Sequence, residues 1–479
     1  MEENLNNQIV KGVSWNLIET AVSYLVRFVI GIILARLLMP SDFGLIGMTA
    51  VFIAVSDIFV RAGFGQAFIR KENVTSVDAD TVFYINLTVG LLIYLLLFLT
   101  APLIAAYFNE PKLVDIVRVL SLVVVLNSFN VIQYALIRRH MLYKRKAVVT
   151  ILSSMISGVA GVLCAYKGMG VWSLVVQQLV SRVILCLLFY HVSDWRPGWS
   201  FSKDIARSMF SFGSWLLLAD LIAAFMNNFY RIIIGRFYSS EELGYYDRAH
   251  QFQSMVADTF TWALGIVAFP SFTRFQRNIG QMNVLVEKYV RYSTILIYPV
   301  LCIMAVTAKP MIALLLTEKW LPAVPYLQLF CVVGLVVPLN FFLCPFLQAA
   351  GFPKIALYST LFLAVMRILN VCAVAGMGVK ALLVGETIAL SLNIIVFSVY
   401  ASKKSECDYF LALKGVWGSL LASAAAVAAG ILLVSRPFAS DILRLVSTAS
   451  LMSVIYVVVI WLADRRTVVA GITYLRKLV

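Results

Sequence analysis

Long apolar runs separated by short polar loops make up most of this 479-residue sequence. A helix needs about 20 residues to cross the hydrocarbon core of a bilayer. About fourteen runs are long enough, at residues 14–38, 44–66, 81–107, 113–137, 147–166, 170–190, 209–236, 246–270, 289–316, 322–347, 355–376, 379–400, 411–434 and 441–463. Only 13% of the residues are charged, whereas soluble domains carry about 25%. The sequence therefore predicts an all-α polytopic membrane protein with about fourteen transmembrane helices.

Lysine and arginine residues gather in the connections that follow the even-numbered spans. The densest cluster is RRHMLYKRK at 138–146, and the loops on the opposite side contain fewer basic residues. By the positive-inside rule, the basic loops and both chain termini are cytoplasmic. Orientation in the membrane thus accounts for the net charge of +15, and no nucleic acid partner is expected.

The sequence repeats itself with an offset of about 200 positions. The matches include Ser14 and Trp15 with Ser214 and Trp215, Gly44 with Gly244, and GMGV at 168–171 and 376–379. Six spans in each copy give both copies the same orientation, so we expect a parallel repeat about an axis along the membrane normal. The predicted segments are an N-lobe at 1–208, a C-lobe at 209–402, and two extra helices with a cytoplasmic tail at 403–479.

The first span carries a polar stripe on an otherwise apolar helix. Asn16, Thr20, Ser23 and Arg27 follow a 4-3-4 spacing that places them on one face, with Glu19 beside it. A charge at the bilayer centre costs about 3 kcal/mol on an insertion scale. This face therefore needs a protein partner or a water-filled cavity, and we interpret it as the lining of a cavity.

Further polar residues lie in the equivalent helix of the second copy and in neighbouring spans. Asp220, Asn227 and Arg231 share one face of the seventh span. Other deep charges are Asp57, Asp258, Arg367 and Glu386. We expect the polar faces to meet between the two lobes. A structural ion pair, or a side chain that reaches to the membrane interface, is the alternative for each single charge.

Several segments together resemble one transporter family. They are LLMPSDFG at 37–44, RAGFGQAFIRKENVTSVDADTVFYIN at 61–86, ALIRRHMLYKRKA at 135–147 and RIIIGRFYSSEELGYYDRA at 231–249. With the fourteen-span count, they make the chain similar over essentially its whole length to the Wzx-type polysaccharide transporter family. That family belongs to the multidrug/oligosaccharidyl-lipid/polysaccharide exporter superfamily.

The resemblance implies a flippase rather than an enzyme. Its expected substrate is an undecaprenyl-diphosphate-linked oligosaccharide, moved across the bacterial inner membrane by alternating access for the synthesis of surface polysaccharide such as lipopolysaccharide. Membrane lipids and a polysaccharide polymerase or ligase are further expected partners. The chain has no GxxxxGK[ST] phosphate loop, so we expect no nucleotide cofactor and a proton or sodium gradient as the driving force.

Two sets of candidate residues follow from their chemistry. Arginine binds phosphate bidentately and keeps its charge, while Asn and Ser bind sugar hydroxyls. The expected substrate-binding residues are Arg27, Arg231, Arg367, Asn16, Ser23 and Asn227. The expected ion-coupling residues are the intramembrane acids Glu19, Asp57, Asp220 and Asp258. No metal site is expected, because the seven cysteines form no CxxC motif.

Three other functions remain open from the residues alone. A lipid II flippase of the same superfamily would share the two-lobe plan. A multidrug-cation antiporter would also share it, but its cavity should be acidic and aromatic, whereas the stripes here include arginine. An integral-membrane glycosyltransferase or polymerase would need a long extramembrane segment to hold the sugar donor, and the loops in this chain are short.

Overall fold

The computed structural model describes residues 2–61, 68, 74–193, 195–404, 409–436, 438 and 440–464. Over these residues the regular secondary structure is helical and contains no strand. Thirteen helical segments within this part of the chain are long and apolar enough to cross a membrane. The prediction of an all-α polytopic membrane protein is therefore confirmed. The remaining predicted span, 209–236, lies within a helix at Lys203–Phe237.

The first compact unit extends from Met1 to Gly244. Its helices are α1 (Glu2–Leu37), α2 (Pro40–Arg61), α3 (Ser76–Phe108), α4 (Leu113–Leu120), α5 (Leu122–Arg139), α6 (Tyr143–Tyr166), α7 (Trp172–Val192) and α8 (Lys203–Phe237). Within this unit α6 packs against α1 and α7, and α8 packs against α2 and α3. The polar stripe of the first span is thus on a helix whose main neighbour is α6.

The second compact unit extends from Tyr245 to Val479. Its helices are α9 (Ser240–Arg274, which begins in the first unit), α10 (Ile279–Val306), α11 (Ala308–Leu316), a 3₁₀ turn (Glu318–Ala323), α12 (Val324–Ala349), α13 (Pro353–Val374), α14 (Val379–Lys404), α15 (Phe410–Lys414), α16 (Trp417–Val434) and α17 (Asp441–Ala463). Here α12 packs against α10 and α14, and α13 packs against α14. The last two spans contact each other and α10.

The two units do not coincide with the segments predicted from the repeat. The repeat assigns α8 to the second copy, whereas the packing of α8 on α2 and α3 groups it with the first unit. The lobes at 1–208 and 209–402 and the extra segment at 403–479 rest on sequence similarity rather than on contacts. They stay a prediction.

Faces of large apolar side chains are exposed along several helices. On α3, Leu92, Leu95, Leu99 and Leu103 are each more than half exposed, and their 3-4-4 spacing places them on one face. A contiguous apolar surface of this kind is unstable in water. It is the surface that a bilayer covers, since lipid tails solvate leucine as well as a protein core does.

The predicted basic loop at 138–146 is shorter in the structure. Helix α5 ends at Arg139, and α6 already begins at Tyr143. Met141 adopts a left-handed conformation with φ 55°, which reverses the chain within three residues. Leu142 packs against the buried cluster of Ile137, Val149, Leu185 and Phe189 and so fixes this turn. As a result Lys146, predicted in a loop, lies in the first turn of α6.

Candidate functional site

An ion pair links the polar stripe of α1 to α6. The ammonium of Lys146 lies 3.1 Å from a carboxylate oxygen of Glu19 and donates a 3.4 Å hydrogen bond to the amide oxygen of Asn16. Glu19 is buried and Asn16 is exposed. The sequence placed Glu19 among the ion-coupling residues and Asn16 among the substrate ligands, and one lysine contacts both.

Arg27 lies two turns further along the same helix. Its Nε donates to the backbone oxygen of Ser23 at 3.1 Å, and its guanidinium lies 5.0 Å from the centre of the Tyr24 ring. Among the residues that the structure describes, no carboxylate pairs with Arg27, whose side chain is exposed. The buried hydroxyl of Ser23 likewise has no hydrogen-bond partner within that part of the chain. Arg27 thus offers a permanent positive charge that is not neutralised by an acid.

Asp57 on α2 is held by two partners. Arg61 on the next turn forms a 3.0 Å ion pair with one carboxylate oxygen, and the Asn127 amide on α5 donates to the other at 2.5 Å. Arg61 is largely exposed, whereas Asp57 is mostly covered. Both oxygens of the acid are therefore occupied. Its role in ion coupling stays a prediction.

The stripe of the seventh span lies on α8. Asp220 and Asn227 are exposed, and Arg231 is half-buried. One guanidinium nitrogen of Arg231 donates to the amide oxygen of the buried Asn228 at 2.8 Å. Asn228 in turn donates to the backbone oxygen of Ala224 at 2.9 Å. The sequence singled out Asn227, but its neighbour Asn228 is the residue that orients Arg231.

In the second unit, Arg367 and Glu386 form a bidentate ion pair between α13 and α14. Arg367 Nε donates to both carboxylate oxygens at 3.1 and 3.2 Å, and Nη2 donates to one of them at 2.6 Å. Glu386 is buried. This geometry matches the structural alternative stated for deep charges, while substrate binding by Arg367 stays a prediction. Asp258 is half-buried on α9, and its role in coupling is likewise untested.

The two helices that follow the stripe-bearing helices, α2 and α9, make a reciprocal contact at their first turns. A Cβ atom on Gly44 would lie 1.6 Å from the carbonyl oxygen of Ser240, and one on Gly244 would lie 2.0 Å from that of Pro40. The first turns of α2 and α9 therefore pack backbone to backbone, which only glycine allows. Ser240 Oγ also lies 2.8 Å from a carboxylate oxygen of Glu110. The contact therefore joins the helix that follows each stripe-bearing helix in the chain.

Three residues that contact the predicted site residues were not predicted from the sequence: Lys146, Asn127 and Asn228. Lys146 was interpreted as a topology signal because it ends a run of basic residues, and only the early start of α6 brings it to Glu19. Asn127 is a polar residue inside an apolar run, so the sequence offered a signal for it. Asn228 follows a predicted ligand directly, and adjacent positions point about 100° apart on a helix.

The arrangement combines fixed cations with acids that can take up a proton. Arg27 and Arg231 keep their charges at any physiological pH and can each grip a phosphate through two N–H groups. The Glu19 carboxylate already pairs with Lys146. Such a face can bind an anion with hydroxyl-rich substituents. It resembles neither a metal site nor a nucleophile-and-base pair.

Known proteins are similar to the chain at the level of family. The family described as "Polysaccharide biosynthesis protein" matches residues 33–325, which is more than half of the sequence. The succinoglycan biosynthesis transport protein ExoT of Rhizobium meliloti (strain 1021) is 26% identical over 468 residues, covering 95% of this chain and 93% of ExoT. The lipopolysaccharide biosynthesis protein WzxC of Escherichia coli (strain K12) is 24% identical over 422 residues, covering 87% and 83%.

Solved structures are similar in fold. The lipid II flippase MurJ in an inward closed conformation superposes with a TM-score of 0.77 at 11% identity, covering 95% of this chain and all of MurJ. A multidrug resistance transporter of the MATE family and MOP superfamily, in an inward-facing conformation, gives a TM-score of 0.59 at 16% identity, covering 80% and 94%. At these identities the likeness concerns the fold alone.

Proposed function

Because the chain belongs to the polysaccharide biosynthesis protein family, we propose that it is a flippase for an undecaprenyl-diphosphate-linked oligosaccharide. The family resemblance inferred from the sequence motifs is confirmed by this match. Two relatives similar over most of the chain are named for succinoglycan transport and lipopolysaccharide biosynthesis. The proposed substrate carries a diphosphate, several sugars and a polyprenyl chain.

One observation carries the proposal: the unneutralised arginine in a membrane-spanning polar stripe. A diphosphate cannot enter hydrocarbon without losing its hydration, which makes unassisted crossing prohibitive. The exposed Arg27 guanidinium replaces part of that hydration with charge-assisted hydrogen bonds. An antiporter for organic cations would be hindered by such a positive charge.

Arg231 is the second proposed phosphate ligand. It lies on α8, which packs against α2 and α3 within the first unit. Asn228 orients its guanidinium through one hydrogen bond, and a guanidinium carries five N–H donors in a fixed fork that matches a phosphate. In the proposed cycle the protein lies in the bacterial inner membrane, and its basic turn at 138–146 faces the cytoplasm. The coupling ion enters through the acids Glu19, Asp57, Asp220 or Asp258.

Transport by purified protein in lipid vesicles tests the proposal. The substrate is undecaprenyl diphosphate carrying one N-acetylhexosamine, and a lectin outside the vesicles detects the sugar that reaches the outer leaflet. We expect Arg27→Ala to lose about 2 kcal/mol of substrate binding, which is about thirtyfold in affinity. Arg27→Lys should retain part of the activity, because the charge remains and the planar fork does not.

The matched control is Arg118→Ala, since Arg118 on α4 lies over the Phe98 ring, away from the stripe of α1. Its flipping rate should equal that of the wild type. A wild-type protein that moves a fluorescent organic cation and no lipid-linked sugar would overturn the proposal. Equal flipping by the wild type and Arg27→Ala would remove Arg27 from the binding site.

A further inference from the structure

We infer that Lys146 is a further phosphate ligand, held by Glu19 in the absence of substrate and released when the Glu19 carboxylate gains a proton. The inference rests on the proposed function and adds a residue that the sequence interpretation assigned only to membrane orientation. It also joins substrate binding and proton coupling in one ion pair. Lys146 belongs to the first turn of α6, and Glu19 belongs to the polar stripe of α1.

The geometry allows Lys146 to exchange partners. Its ammonium lies 3.1 Å from one oxygen of Glu19 in an ion pair that does not meet hydrogen-bond geometry, and it donates one hydrogen bond to the Asn16 amide oxygen at 3.4 Å. The ammonium ends a flexible four-carbon stem and behaves as a point charge without a fixed fork. A side chain exposed fraction of 20% leaves it accessible from one side. An arriving phosphate can therefore take over the ammonium without any movement of the backbone.

The surroundings favour an anion once Glu19 is neutral. On α6, Lys144 lies 5.6 Å from the centre of the Trp15 ring, and Arg145 donates to the backbone oxygen of Val192 at 3.5 Å. Neither of these contacts neutralises a positive charge. With Glu19 protonated, Lys144 and Lys146 are two cations of this turn that face α1, and among the described residues no other carboxylate forms an ion pair with them. A diphosphate carries the complementary charge.

Charged and titratable groups from every neighbouring helix bear on Glu19. On its own helix, Arg27 lies eight positions further along the stripe. Across the unit, Tyr134 on α5 lies within electrostatic range of Glu19 and also of Asp57, Arg61 and Arg182. Asp57 and Arg61 neutralise each other through their 3.0 Å ion pair. The Glu19 carboxylate is thus the acid that directly holds Lys146.

The proposed exchange balances in protons and charge. One proton binds a Glu19 carboxylate oxygen, the ion pair separates, and the Lys146 ammonium keeps its three hydrogens while it donates to a phosphate oxygen. When the phosphate leaves, Glu19 releases its proton and pairs with Lys146 again. One substrate contact is therefore made for each proton bound. Acid pH should favour the substrate-competent form.

Binding of undecaprenyl diphosphate to the full-length protein in lipid nanodiscs tests the inference. Affinity is measured at mildly acidic and mildly alkaline pH for the wild type, Lys146→Met and Glu19→Gln. We expect the wild type to bind more tightly at acidic pH. Lys146→Met should bind about tenfold more weakly there. Glu19→Gln, which imitates the protonated acid, should bind tightly at both pH values.

The controls separate this inference from a purely structural ion pair. Lys167→Met removes an exposed lysine at the other end of α6 and should leave binding and its pH dependence unchanged. The exchanged pair Glu19→Lys with Lys146→Glu keeps the attraction but moves the cation to α1, so we expect it to fold and to bind weakly. Thermal unfolding of each variant identifies those that fail to fold.

Two results overturn different claims. Wild-type protein that shows no affinity for undecaprenyl diphosphate at either pH contradicts the proposed function itself. Wild-type protein that binds it, with equal affinity and pH dependence in Lys146→Met, contradicts only the role of Lys146. Wild-type affinity in the exchanged pair would likewise reduce Glu19 and Lys146 to a structural contact.

Discussion

Two buried ion pairs, one in each unit, hold their charges in different ways. Arg367 and Glu386 join α13 to α14 through hydrogen bonds of 2.6, 3.1 and 3.2 Å. Lys146 and Glu19 join α6 to α1 through one contact of 3.1 Å. The side chains are 21% and 8% exposed in the first pair and 20% and 9% in the second. Burial does not distinguish the pairs, whereas the number of hydrogen bonds does.

This difference assigns the two pairs different tasks. A guanidinium that faces a carboxylate bidentately is fixed in orientation, and separating it costs several charge-assisted bonds at once. A lysine ammonium loses a single contact and can form an equivalent one with another oxygen. The pair in the second unit is therefore suited to holding two helices together. The pair in the first unit is suited to exchange during a cycle.

Removing the acid should destabilise the two pairs to different degrees. Glu386→Ala leaves the half-buried Arg367 with a charge that it cannot lose, and we expect a loss of about 2–3 kcal/mol in stability. Glu19→Ala should cost only about 1 kcal/mol, because the Lys146 ammonium can turn toward water on its flexible stem. The measurement is the thermal unfolding midpoint of both purified variants in the same detergent.

A double replacement provides the control for Glu386→Ala. Arg367→Met combined with Glu386→Leu removes both charges and fills the space with apolar atoms, which is close to neutral for many buried pairs. We expect its unfolding midpoint to lie near that of the wild type. Equal losses of stability for Glu386→Ala and Glu19→Ala would contradict the distinction between a pair that holds two helices together and a pair that exchanges partners. A stable double variant that no longer transports would favour the predicted substrate role of Arg367.

The sequence predicts the helices well because their signal is local. An apolar run of sufficient length specifies a spanning helix without reference to any other part of the chain. The periodicity of Asn16, Thr20, Ser23 and Arg27 is likewise contained in one helix. The all-α architecture and the existence of a polar face on α1 could therefore be read from single segments.

The partners of the polar residues are a different matter, because they lie far apart in the sequence. Asn16 and Lys146 are 130 positions apart, and Asp57 and Asn127 are 70 apart. Hydrophobic periodicity predicts on which face of its own helix a residue lies, but it does not predict which other helix packs against that face. The left-handed residue of the turn before α6 is Met141 rather than a glycine, so the sequence gives no signal for this turn. The turn lets α6 begin early and brings Lys146 to α1. Whether a polar residue lines a cavity or forms an ion pair could therefore be decided only from its contacts in the structure.

The ion pair of the first unit can be given the guanidinium that the pair of the second unit has. Lys146→Arg introduces a planar fork opposite Glu19, and a second charge-assisted bond should stabilise the protein by about 1 kcal/mol. The tighter pair should also exchange more slowly, so we expect a lower flipping rate in vesicles and a higher unfolding midpoint. A variant that is more stable and flips at the wild-type rate would show that the pair stays closed throughout the cycle.

The smallest expected effect concerns Asn16, the secondary contact of Lys146. Its 3.4 Å hydrogen bond is long and its side chain is exposed, so Asn16→Ala should lower stability by only about 0.5 kcal/mol. Thr20 bonds to the backbone oxygen of Asn16 and is unaffected by the replacement. Asn16→Asp is the informative companion, because it places a second carboxylate beside the ammonium. If Lys146 exchanges between Glu19 and phosphate, Asn16→Asp should weaken undecaprenyl diphosphate binding several-fold at alkaline pH, whereas Asn16→Ala should change it little. Equal binding by both variants would mean that no phosphate reaches Lys146.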